Sequence, residues 1–97
     1  MSNSVNNGND NVLVRFFWDC GRMGKVHGLF VITRTELAEG YGKYVSFGEI
    51  LGKHSEIYGE LNEQDITILT DDQAFIDQLL TYSERTVSGY NPFSYMS

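Results

Sequence analysis

Cys20, His27 and His54 are the soft or imidazole groups of this chain, and a cysteine with a histidine is the smallest set that can activate a thiol nucleophile or begin a metal site. A structural zinc site wants four ligands at spacings such as C-x2-C, which one cysteine and two scattered histidines do not supply. The reading is therefore no metal, no cofactor and no catalytic residue, with Cys20 a small side chain at a strand end. A glycine-rich loop over 19–28 and a turn at 52–55 offer a different chemistry. Gly21, Gly24 and Gly28 surround Arg22 and Lys25, and Gly52-Lys53-His54-Ser55 repeats the pattern; closely spaced amides beside cations can cradle an anion. A P-loop needs glycine five positions ahead of its Gly-Lys pair, where this chain has Asp19 and Phe47, and no Gly-x-Gly-x-x-Gly is present. Arg22, Lys25, Lys53 and His54 are kept as an alternative small-ligand or nucleotide site.

Carboxylates are the more abundant functional groups. Glu56 and Glu60, with Glu49 across a turn, could act as an acid and base pair, but so small a domain leaves little room for a water-excluding pocket of roughly 300–1,000 Å³. A non-enzymatic role is the better expectation. The net charge is −6, and it is unevenly spread: residues 55–97 hold Glu56, Glu60, Glu63, Asp65, Asp71, Asp72, Asp77 and Glu84 against Arg85 alone. Such a field attracts basic partners and repels nucleic acid. The chain also has six tyrosines, a residue that gives large amphipathic contact area at low entropic cost. The expected site is thus Glu56, Tyr58, Glu60, Glu63, Asp65, Asp71 and Asp72, and the expected function is a protein-binding module, an accessory or inhibitor engaging a partner with a basic surface. Homodimerisation is open. A lone cysteine and the lack of a basic-then-apolar leader point to the cytoplasm, and no apolar run approaches the ~20 residues that cross a bilayer.

These groups need a scaffold. Ninety-seven residues make one domain of α+β class. Residues 1–11, rich in Ser, Asn and Gly, read as a disordered tail. Strands are expected at 12–18, 29–33, 43–51, 55–61 and 65–70 from β-branched and alternating apolar residues, the last three as a meander, with residues 19–28 a loop. Thr33-Arg34-Thr35-Glu36 offers a capping box for a short helix over 34–41. Thr70-Asp71-Asp72-Gln73 offers another, for a longer helix over 71–83 whose stripe of Phe75, Ile76, Leu79 and Leu80 should lie on one face of the sheet. The terminal aromatics Tyr90, Phe93 and Tyr95 are too apolar to remain solvated, and either pack back or meet a partner.

Overall fold

The computed structural model describes residues 10–53 and 56–96. It has the expected α+β class: a four-stranded antiparallel sheet, a separate two-stranded one and two helices. The strands are β1 (Asn11–Asp19), β2 (Lys25–Thr33), β3 (Tyr44–Gly48), β4 (Ile57–Glu60), β5 (Ile66–Thr70) and β6 (Thr86–Gly89); the helices are α1 (Arg34–Gly40) and α2 (Gln73–Tyr82). The larger sheet runs β5-β1-β2-β6, and β3 pairs with β4.

The uninterrupted apolar runs at the start of β1 and the end of β2 follow from cover on both faces. Val12, Val14, Phe16, Val26, Phe30 and Ile32 point to one side, where Leu37 of α1 and Val45, Phe47 and Ile57 of the β3–β4 hairpin close over them. Leu13 and Val31 point to the other, against Ile76 of α2. The two helices therefore lie on opposite faces of the sheet, and Phe75, expected in the buried stripe, is exposed. Burying a side chain such as Phe16 stabilises by about 1.5–3 kcal/mol, so these layers dominate the fold.

Four expectations need correction. The 19–28 loop is shorter than its glycines suggest: only Cys20–Gly24 turns, around a 3-10 turn at Gly21–Met23, and β2 already begins at Lys25, paired with Asp19. Gly28 is a strand residue, glycine because the backbone at Tyr90 crosses directly above it. The meander does not form. Leu61 enters the core and a 3-10 turn at Glu63–Asp65 leads β5 away from β4, so that Phe16 pairs with Ile66 and Val14 with Ile68. β3 and β4 are also shorter than 43–51 and 55–61, because the pair carries a bulge and Gly48, at φ 76°, ends β3. Finally, β6 was not expected: with Val87 its one strongly apolar residue, it owes its strand to pairing with β2.

At the N-terminus, residues 1–9 lie outside the described set, but Asn11 opens β1 and the Asp10 carbonyl accepts from the Arg34 N–H at 3.0 Å, so the domain begins before residue 12. At the other end the aromatic segment packs back. Pro92 is buried, Phe93 and Met96 join the larger core, and Ser46 N–H donates to the Tyr95 carbonyl at 3.1 Å.

Both helix starts carry side-chain caps. Thr33 Oγ1 accepts from Glu36 N–H at 3.1 Å while Glu36 Oε1 accepts from Thr33 N–H at 3.3 Å, the reciprocal box read from the sequence. At α2 the cap is Asp72 rather than Thr70, its Oδ1 accepting from Phe75 N–H at 3.2 Å; Gln73 instead donates through Nε2 to the Asn11 carbonyl at 2.7 Å, tying the helix to β1. Glu36 also accepts from Arg85 at 2.9 Å. That bond, chiefly, and the Thr33 N–H hold its carboxyl below the usual glutamate range. A carboxylate depressed in the folded state stabilises above its ordinary value and loses that contribution as pH falls toward the folded one. Acid unfolding followed by circular dichroism should therefore show Glu36→Gln losing less stability below the ordinary glutamate range than the parent chain does.

Candidate functional site

The expected acidic and aromatic residues fall into two groups on different parts of the fold. Glu56, Tyr58 and Glu60 form the outward row of β4 and its approach, since the strand's alternation buries Ile57 and Leu61. Tyr58 is 60% exposed and its ring stands 6.0 Å from that of Tyr44 on β3. Glu63, Asp65, Asp71 and Asp72 instead bracket β5. Three of these four hold local structure: Asp65 Oδ2 accepts from Asn62 N–H at 2.9 Å, Asp71 pairs with Arg34 at 2.9 Å, and Asp72 caps α2.

The first group borders a cleft of about 420 Å³, lined by Trp18, Asp19, Cys20 and Met23 on one side and residues 56–60 on the other. The sequence explains each wall. Trp18 is at the far end of β1, on the face of Phe16, and packs edge-on against Phe16 at 5.2 Å and Phe47 at 5.6 Å, contacts that fix the indole. Gly59 lies beside the benzo edge of the indole. Asp19 turns back to accept from the Gly21 N–H at 3.0 Å, and the turn presents Met23, which is exposed. The half-buried Trp18 and the exposed Met23 thus share one opening with Tyr58 and the acidic residues Asp19, Glu56 and Glu60. Aromatic faces attract cations by their quadrupole, by about 0.5–1 kcal/mol at exposed sites and ~2 when desolvated, and carboxylates add direct attraction and hydrogen-bond acceptors.

Trp18, Asp19 and Met23 were absent from the sequence-derived site. Trp18 reads as strand core because β-propensity cannot distinguish a buried aromatic from one at the margin of a cleft. Cys20, weighed as a nucleophile, lines the same wall. Burial and then the Asp19 carboxylate push its thiol above the ordinary value, which lowers the thiolate fraction at neutral pH. Labelling of Cys20 by a maleimide or disulfide reagent at neutral pH should be slower than labelling of free glutathione; faster labelling would restore a nucleophilic role.

The alternative ligand residues are not gathered around this cleft. Arg22 is exposed on the turn and Lys25 on β2, opposite Asp19; Lys53 is exposed in the β3–β4 connection, and His54 lies outside the described residues. The glycine-rich turn and the segment leading to Gly52 do meet, Gly24 lying against the Leu51 side chain. Among the described residues no group of three or more His, Cys, Asp or Glu side chains is arranged to hold a metal ion, and no helix is long and apolar enough to cross a membrane. A larger groove of about 640 Å³ runs beside α1 over Ile32, Phe93 and Met96, with Lys43 and the Glu36–Arg85 pair on its rim.

The chain matches no protein-family model, no curated protein and no solved structure. Its function is argued from the site alone.

Proposed function

We propose that the protein is a non-enzymatic binding module that engages a basic protein partner, taking an arginine or lysine side chain into the cleft between Trp18 and Tyr58. The observation that carries this reading is that Trp18, Tyr58 and the acidic residues Asp19, Glu56 and Glu60 all line one opening. Each element has a separate task. The indole and phenol receive the cation and its aliphatic stem, Glu56 and Glu60 accept its N–H groups, and the net charge of −6 steers the partner from a distance.

Trp18 is the single tryptophan of the chain, so its emission reports on the cleft directly. Titration with a short arginine-rich peptide should shift and saturate that emission, with affinity falling as salt rises. A peptide with glutamate in place of arginine should leave the emission unchanged. Equal responses to both peptides, or a response indifferent to salt, would remove the electrostatic basis of the reading.

A further inference from the structure

β5 is an edge strand whose described partner is β1 alone, so one side of Ile66–Thr70 presents backbone N–H and C=O groups to solvent. Proteins usually blunt such edges with lysine, proline or inward charge. The sequence Ile-Thr-Ile-Leu-Thr has none of these. Ile68 and Leu69 are each 44% exposed, giving the strand an apolar surface. The register with β1 shifts at Leu13/Val14, so that Leu69 is the extra residue of a bulge and stands outside the ladder. The opposite edge differs: β6 has four residues and ends at Gly89, with φ 70°, where the chain turns back across β2.

Charge decides what fits. Glu63 and Asp65 stand at one end of β5, Asp71 and Asp72 at the other, and Arg34 offsets Asp71. If a second copy paired β5 with β5 in antiparallel fashion about Ile68, Asp65 of each chain would fall opposite Asp71 of the other, with Asp72 next to it, and like charges so placed are destabilising. A strand with cations at its ends would meet complementary charge at both.

We propose that the free edge of β5 takes an extended segment of a partner protein as an added strand, apolar or alternating in its middle and carrying lysine or arginine at both ends. Main-chain hydrogen bonds supply the attachment, Ile68 and Leu69 the apolar contact, and the flanking carboxylates the register. This surface is separate from the Trp18 cleft.

Amide hydrogen exchange on the full chain tests it, with two peptides as probes: alternating threonine and valine between Lys-Arg ends, and the same core between Glu-Glu ends. The basic peptide should slow exchange in β5 by about tenfold while the acidic one changes it little. Ile68→Lys and Leu69→Lys, both at exposed positions and checked for folding by thermal melting, should each weaken the basic peptide by about tenfold. Glu60→Lys, in the cleft, should leave β5 protection unchanged. The proposal is overturned if both peptides protect β5 equally, if neither does, if both lysine variants bind as the parent does, or if Glu60→Lys abolishes the protection. Sedimentation of the chain alone should give a monomer; a dimer lost in Ile68→Lys would mean that a second copy occupies the edge and would also overturn it.

Discussion

Gly28→Ala should lose about 3 kcal/mol of stability, at the upper end of what overpacking costs, and so a large share of the 5–15 kcal/mol that holds a typical domain together. Gly28 does not have a positive φ, so alanine is acceptable to its own backbone and the penalty is purely steric. A Cβ there would land on the main chain of Tyr90, which cannot rotate away as a side chain would. Tyr90 N–H donates to the His27 carbonyl at 3.0 Å, and Gly89 is equally tight against His27 and Gly28. Relief therefore requires lifting the terminal segment, with Pro92 and Phe93, out of the core. Gly21→Ala is the control: at φ 64° with nothing nearby, it carries only a conformational cost of about 1 kcal/mol. Urea unfolding should show a much lower midpoint for Gly28→Ala and a slightly lower one for Gly21→Ala. Equal midpoints would mean that the terminal segment does not cross β2.

The largest expected effect on binding is from reversing charge at the cleft. Glu56→Lys combined with Glu60→Lys should weaken an arginine-rich peptide by on the order of a hundredfold at low salt, since each change removes an acceptor and adds a repulsion. Both residues are exposed, so thermal stability should stay within about 0.5 kcal/mol of the parent. Tyr58→Ala removes one aromatic wall without changing charge and should cost less, by an amount that persists at high salt. The contrast between a salt-sensitive loss and a salt-resistant one separates the carboxylate contribution from the aromatic one. A double reversal that binds as tightly as the parent would leave the cleft without a role.

The sequence exposed local chemistry and hid long-range geometry. The Thr33–Glu36 box is legible because its partners are three residues apart, and the alternation of β4 is legible because period two assigns Ile57 and Tyr58 to opposite faces. The start of β2 was hidden because Lys25, His27 and Gly28 resemble a loop until Val26 is seen to be buried and the terminal segment is seen to need the space above Gly28. β6 was hidden because a short polar strand is made by its neighbour. The site shows the same division. Glu56, Tyr58 and Glu60 share one strand and could be grouped by spacing, but Trp18, Asp19 and Met23 reach the cleft from another hairpin. Asp71 and Asp72 were grouped with them on charge alone, whereas an ion pair and a helix cap account for their positions.

The most direct test of the cleft as a receptor for a basic side chain is amide and indole chemical-shift mapping during titration with an arginine-rich peptide. The Trp18 Nε1–H and the amides of Asp19, Met23, Tyr58, Gly59 and Glu60 should move together and saturate at a common midpoint. Movement centred instead on the exposed Arg15 of β1 and Lys25 of β2, or small shifts scattered without saturation, would contradict the account.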